Sequence, residues 1–402
     1  MTESFADTVR GLQGKILTEL MADLVRIPSL SGDEARIMAF AADYLAARGL
    51  DVAVLGRKPD QPNVVATLGT GESPVVVLNG HLDTVPPAAP EQWRTDPFEP
   101  VAANDRVYGL GALDMKGSCA AMMLALLALK QHADKLNGTV QLQLVCEEEA
   151  GAYYGTPYLV ELIQAGQLPK PDHVIVGEYT GLQVMNAERG SFKFEIDFHG
   201  RATHTATARV EGQNAIYAAA RAICLIERNL DIRHPEVGQA VISVNQIRGG
   251  QHRSQVPDEC TVLVDRRMVP GETMESVMAE TATLIESLRE DIPWLDFKVG
   301  PSLDDRGQPR YSPPNLTRRG VQSAEAIIKA HRHVTGKPAQ YFTGWFGATD
   351  ARCFRYEGYD SINYGPDGLH AHGPNEYVLV DTLNTQLAVV ALAVADLCGF
   401  QT

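Results

Sequence analysis

The 402-residue sequence predicts a larger α/β domain interrupted by a smaller α+β domain. Three observations carry this. Between residues 51 and 176, and again after 318, short apolar strands alternate with helical patterns, the mark of a sheet that is at least partly parallel. Near Gly181 the order changes to β-α-β-β-α-β, which fits a small antiparallel sheet with helices on one face, a ferredoxin-like arrangement. Finally, 402 residues exceed what most single cores organise. The expected division is 1–184 for the first part of the larger domain, 185–298 for the insertion and 299–402 for the return.

Leu17, Leu20, Met21 and Leu24 recur at helical spacing and predict a helix over 12–27, stopped by Pro28. Ser31-Gly32-Asp33-Glu34 opens a second helix, 35–48, which Gly49 ends. Strands are expected at 51–55, 63–68 and 75–78, the last bounded by Pro74 and an Asn79-Gly80 break. Gly109 to Gly117 reads as a glycine-punctuated loop around Asp114. The helix that follows, 115–130, uses Met122 and Met123 as core filler. A strand at 139–146 runs into Glu147-Glu148-Glu149, a helix covers 156–165, and a strand at 172–176 runs into Glu178.

In the insertion, strands are expected at 191–199, 240–247 and 259–265, with helices at 213–229 and 273–290. Residues 300–314, rich in Pro, Gly and Asp, read as the returning linker. A helix at 318–335, a glycine-rich loop at 344–347, a short helix at 350–356 and a strand at 359–364 come next. The polar loop 365–376 then precedes a final amphipathic helix, 380–397.

Composition excludes several classes. Apolar residues make up 45% and charged residues 21%, an ordinary soluble globular balance. The formal charge of −15 argues against nucleic acid or an anionic membrane as a partner. The six cysteines show no Cys-x-x-Cys pair, which fits a reducing compartment, and residues 1–20 carry no signal-peptide pattern. The longest apolar runs, near 120–129 and 387–397, read as too short or interrupted to span a bilayer. A cytoplasmic location is the expectation.

Three strands thus end in a carboxylate or an imidazole: His81 with Asp83, the Glu147–149 run, and Glu178. The carboxyl end of a strand is where an α/β sheet places its chemistry. In His81-Leu82-Asp83 the two polar side chains fall on the same side, so one can bind a metal while the other steers it. With Asp114, His370 and His372 they form a set of imidazoles and carboxylates without cysteine. Such a set suits zinc, cobalt or manganese in a hydrolytic site. Two such ions about 3.5–4 Å apart activate a water and clamp a tetrahedral transition state.

The motifs Gly80-His81-Leu82-Asp83-Thr84-Val85-Pro86, Gly109-Leu110-Gly111-Ala112-Leu113-Asp114-Met115-Lys116-Gly117, Glu147-Glu148-Glu149-Ala150-Gly151, Gly177-Glu178 and Ala371-His372-Gly373-Pro374-Asn375-Glu376 occur in that order. In this the chain resembles the M20 co-catalytic zinc peptidases and deacylases, among them acetylornithine deacetylase, succinyl-diaminopimelate desuccinylase, aminoacylase-1 and glutamate carboxypeptidase. The resemblance implies a zinc-peptidase-like mixed sheet with an inserted dimerisation or lid domain. It implies two zinc ions per subunit, with cobalt or manganese as substitutes: His81 and Glu178 on one, Glu149 and His372 on the other, and Asp114 bridging both.

By the same resemblance the peptide after Asp114 is cis, and Asp83 accepts the second ring N–H of His81. Glu148 is the general base that takes a proton from water and hands it to the leaving nitrogen. His204, in Gly200-Arg201-Ala202-Thr203-His204, reaches the partner subunit's site and stabilises the oxyanion. Arg189, Arg267 and Arg352 stand where desuccinylase-like members hold substrate carboxylates, though each also suits a structural ion pair. Ser254 stands near a position where the family often has Asn, and 344–347 with Thr349 resembles a loop that closes on the substrate, naming Gly347 and Thr349 as contacts. The implied activity is hydrolysis of an amide next to a free carboxylate, in an N-acyl amino acid or a short peptide, by a homodimer. The alternatives are a dipeptidase or aminopeptidase on the same scaffold, or a non-catalytic binding homologue.

Overall fold

Strand β3 (Val75–His81) lies inside a six-stranded sheet and is buried along its whole length. Its companions are β1 (Asp51–Leu55), β2 (Asn63–Leu68), β4 (Thr139–Val145) and β5 (His173–Val176). The order across the sheet is β1–β2–β4–β3–β5, closed by Ser361–Asn363. β3 runs parallel to both β4 and β5, while β1 and β2 pair antiparallel to each other and β2 to β4. The sheet is therefore mixed, and its three adjacent parallel strands point their carboxyl ends the same way. The computed structural model describes residues 4–345 and 347–400.

β3 does not stop at Asn79-Gly80. It pairs with β4 from Val75 opposite Thr139 through to His81 opposite Val145. Asn79 is buried and donates to the Thr156 hydroxyl at 3.0 Å. A Cβ at Gly80 would stand 2.7 Å from Met115 Cε and 2.9 Å from Cys119 Sγ. The glycine is thus a close-approach residue under a helix rather than a turn residue, a distinction local sequence does not carry.

That helix, Gly117–Lys130, is buried at every residue except Lys130 and is apolar on all sides. It packs against Lys15–Val25 and Val380–Leu397. The helix expected over 12–27 runs over Lys15–Val25, and a separate helix not expected from the sequence, Phe5–Leu12, precedes it, parted from it by Gly14 with a φ of 66°. Ala112–Lys130 and Val380–Leu397 are long and apolar enough to cross a membrane, contrary to the expectation of runs too short to do so. The first is wholly buried within its unit and the second 56% buried, the pattern of core helices.

The chain forms two compact units. The first comprises residues 1–186, 317–342 and 349–402; the second comprises 187–316 and 343–348. In the second, β6 (Gly190–His199), β7 (Val241–Gly249), β8 (Glu259–Met268) and β9 (Asp296–Pro301) form an antiparallel sheet in the order β7–β8–β6–β9. The helix Ala215–Ile226 falls between β6 and β7, and Met274–Glu286 between β8 and β9. This is the β-α-β-β-α-β order. Phe192, Phe194, Ile196 and Phe198 alternate inward along β6 and form the centre of this unit's core. The stretch 300–314 is not a linker back to the first unit. Tyr311–Ser312 pair with β6, and Asn315–Leu316 pair with Ala187–Glu188, so the first unit resumes at Thr317 instead of 299. Main-chain pairing holds this segment, and its turn-rich composition hides that.

Candidate metal centre

The parallel strands β3, β4 and β5 deliver their polar groups to one place. His81 closes β3, Glu148 and Glu149 follow β4 on the turn Glu148–Ala150, and Glu178 lies two residues beyond β5. Asp114 comes from the kinked segment Ala112–Lys116, and the Asp114–Met115 peptide is cis. His372 reaches in from the loop 370–376 with its backbone in the left-handed region, φ 63°.

Asp114 joins the set. Its Oδ1 stands 3.2 Å from His81 Nε2 and its Oδ2 3.0 Å from His372 Nε2. His372 Nε2 also stands 2.8 Å from Glu149 Oε1, and His81 Nε2 stands 3.9 Å from Glu178 Oε1. Ligand atoms of His81, Asp114 and Glu149 all lie within 4.8 Å of one another. His372, and not His370, makes these approaches; the His370 ring packs edge-on to Tyr377.

Charge in the site is unbalanced. Asp83, Asp114, Glu148, Glu149, Glu178 and Asp350 gather around Arg352 and the two imidazoles. Burial pushes Glu178 well above the usual carboxylate range, and the Asp114 charge adds to this. Burial likewise raises Glu148 to about 8, against the pull of the Arg352 guanidinium. Burial opposes ionisation of Asp114 as well, but hydrogen bonds from His372 and His81 outweigh it and hold its carboxyl down at about 2. The bonds His372 donates to Asp114 and Glu149 in turn hold its own pKa up at about 10.

Facing oxygen and nitrogen donors in a buried, acid-rich pocket fit a divalent cation. His81 fits this too: its Nδ1 lies 3.1 Å from the Asp83 carbonyl, which can only accept, so in the neutral ring that a cation would select, the Nε2 lone pair would face Asp114 and Glu178. Thiolate plays no part. The Cys119 thiol donates to the His81 carbonyl, and burial pushes its pKa up to about 12.

The Asp83 carboxylate braces the turn that carries Glu148 and Glu149. Its Oδ1 accepts the Glu148 N–H at 3.0 Å, and its Oδ2 accepts the Glu149 N–H at 3.1 Å and the Ser31 hydroxyl at 2.7 Å. The neighbouring Glu147 N–H goes to Glu34 Oε1 at 3.1 Å, and Gly32 N–H to the same oxygen at 2.9 Å. Glu34 is fully buried, and its Oε2 has no hydrogen-bond partner among the described residues. Opening a helix is thus not its main work. Glu147 accepts the Tyr154 N–H at 2.8 Å, a turn-bracing role.

The expected substrate contacts divide. Arg352 Nη1 lies 3.1 Å from Glu148 Oε1, an ion pair with the expected base. The Thr349 side chain is fully buried: its hydroxyl donates to Asn363 Oδ1 at 3.0 Å and accepts the Ala351 N–H. Arg189, Arg267, His204, Ser254 and Gly347 belong to the second unit. Arg189 Nε donates to the Val237 carbonyl at 2.8 Å; burial and the nearby Arg267 charge lower its pKa. Arg267 pairs with Asp265 at 3.0 Å. His204 is exposed, and its Nδ1 accepts the Ala206 N–H at 3.1 Å, so a ring proton resides on Nε2. The Ser254 carbonyl accepts the Thr205 N–H at 3.1 Å, beside the bridge of His204 to Gln255. Gly347 is partly exposed, in the loop segment 343–348.

The profile of peptidase family M20/M25/M40 matches residues 77–396. A succinyl-diaminopimelate desuccinylase of Nitrosospira multiformis is 31% identical over 365 residues, covering 88% of this chain and 91% of that protein. Among solved structures, a tripeptidase from Staphylococcus aureus superposes with a TM-score of 0.74 at 21% identity, covering 95% of this chain and 98% of its own. A dinuclear metal-binding M20 peptidase of Bacillus subtilis gives 0.72 at 17% identity, with 96% and 98% covered. These two likenesses speak for the fold. The profile spans most of the chain, strand-end motifs included, and the chain therefore belongs to peptidase family M20/M25/M40, as a hydrolase of amide or peptide bonds.

Proposed function

We propose that the enzyme uses two divalent metal ions to cleave an amide next to a free carboxylate, releasing an amino acid from an N-acyl amino acid or a short peptide. The observation that carries this reading is Asp114, whose two oxygens face His81 and His372 separately. His81 and Glu178 would hold one ion, His372 and Glu149 the other, with Asp114 shared; zinc suits the donor set, with cobalt or manganese as substitutes. When bound, such ions supply Lewis acidity, lowering the pKa of a water and polarising the amide carbonyl. Glu148, fixed through its N–H by Asp83 and through its carboxylate by Arg352, moves the proton from the attacking water to the leaving nitrogen.

His204 presents Nε2–H as the donor for the oxyanion, from the partner subunit of a homodimer assembled through the second unit. Arg189, Arg267 and Arg352 supply guanidinium forks for the substrate carboxylate. The desuccinylase likeness supports an acidic acyl group. A reducing, cytoplasmic setting belongs to the reading and is supported by six free cysteines.

The test is amino-acid release from N-acetyl, N-succinyl and N-glutaryl amino acids and from dipeptides, with added zinc or cobalt and again with chelator. Chelator-sensitive release from one acyl class is the expected result. Release from dipeptides alone would select the dipeptidase reading, and stoichiometric binding without turnover the non-catalytic one. Arg352→Ala should raise KM for carboxylate-bearing substrates; an equal loss on a neutral amide analogue would leave Arg352 only its ion pair with Glu148.

A further inference from the structure

The mechanism above makes no use of Glu376, four residues after His372. Its side chain is buried, with 1% exposed. Its carboxylate nevertheless accepts three main-chain N–H groups, all from the turn that carries Asp114. Oε1 accepts from Leu113 at 2.8 Å and from Asp114 itself at 3.0 Å, and Oε2 accepts from Gly111 at 3.0 Å. The Glu376 carbonyl accepts a fourth, from Gly109 at 3.0 Å. Immediately after it, Tyr377–Leu379 pairs antiparallel with Arg106–Tyr108, so the two segments are also joined as strands. The loop that ends in His372 and the turn that presents Asp114 are thereby fastened together at one residue.

We propose that Glu376 is a positioning residue for the metal centre: it fixes the Asp114 turn, and through it the placement of the shared carboxylate relative to His372. The inference rests on the two-ion reading of the site. Its physical basis is directional. A carboxylate has acceptors on both oxygens, and here both are used, whereas an amide of the same shape presents N–H groups on one side. In Glu376→Gln a buried donor would therefore face either Gly111 N–H or the Leu113 and Asp114 pair. The turn must then shift or leave N–H groups without an acceptor. Groups that orient ligands from behind commonly govern metal affinity, with losses of about 10- to 100-fold when they are changed.

The experiment is cobalt(II) titration of the full-length metal-depleted chain and its Glu376→Gln and Glu376→Asp variants. Affinity is read by competition with a chromophoric chelator, the ligand field by the visible absorption band, and fold by circular dichroism. The expected result is two cobalt ions per parent chain. For Glu376→Gln, at least one ion should bind about 10- to 100-fold more weakly, with an altered band. Glu376→Asp keeps both acceptor oxygens but withdraws them by one methylene, and should give a smaller loss. A merely structural glutamate would lower the melting temperature of the metal-free chain while leaving the affinity and band of the folded protein at the parent's values; that result overturns the inference. If Glu376→Gln does not fold, Glu376→Asp decides by the same two readouts. A parent chain that takes up no cobalt overturns the two-ion reading and this inference with it, whereas two parental sites untouched by either variant overturn this inference alone.

Discussion

The turn that carries Asp114 sends three N–H groups to one carboxylate, Glu376, which uses both oxygens to receive them. The turn that carries Glu148 and Glu149 divides its three N–H groups between two carboxylates, one going to Glu34 and two to Asp83. Both arrangements use buried carboxyl groups to hold backbone still, but they distribute them differently. Concentrated on one residue, the brace has no reserve. Divided between two, it leaves Glu34 with one oxygen unpartnered among the described residues, while Asp83 has both oxygens engaged. The sensitivity of each position to losing one oxygen acceptor should follow that accounting of lone pairs rather than burial, since all three side chains are buried.

Three substitutions sharpen this comparison. The largest effect should come from Glu148→Gln, which leaves both braces intact and removes only the proton carrier. Turnover is expected to fall by about 10²- to 10⁴-fold, with the metal content per chain unchanged in elemental analysis. Retained turnover would separate the braced turn from the chemistry assigned to it. Asp83→Asn comes next. An amide nitrogen there must oppose the N–H of Glu148 or of Glu149, and unfolding free energy in urea should drop by about 1–3 kcal/mol. A stability equal to the parent's would mean that Glu34 holds the turn without help.

Glu34→Gln should do less than Asp83→Asn at neutral pH, because its amide can keep Oε1 on Gly32 and Glu147 and place nitrogen at the Oε2 position, where no N–H opposes it among the described residues. Its signature is pH. Burial raises the Glu34 pKa from 4.5 to about 7. Between those values the native chain holds a proton that the unfolded chain has lost, so this residue's contribution to stability falls as pH rises through that window. Denaturation at pH 5 and pH 7.5 should therefore show a smaller difference for Glu34→Gln than for the parent. An identical difference would show that Glu34 does not titrate there.

His81, the Glu147–149 run and Glu178 were legible because their signal is local: an apolar strand followed by a polar group. Asp114 and His372 lie on loops, where periodicity is silent, and their roles came from the ordered set of motifs. The braces were not legible at all. Glu34 meets its turn across 113 residues and Glu376 meets Asp114 across 262, and in sequence each is one acid among many. Thr349 resembled a loop contact and is a buried turn residue for the same reason, since its partner Asn363 is known only from the fold. In the second unit the order of strands and helices followed from alternation, but its end did not, because 300–314 looks like a linker until its pairing with β6 is seen.

The helix Gly117–Lys130 has no face suited to water, and one of its walls, Val380–Leu397, is encoded about 250 residues later. During synthesis the second unit, complete by residue 348, can close first, while the centre of the first must wait for the last wall to arrive. For much of its emergence from the ribosome this protein therefore carries an apolar rod that is covered only in part. A chain stopped short of residue 380 would keep that rod partly exposed and be a natural client for chaperones and proteases.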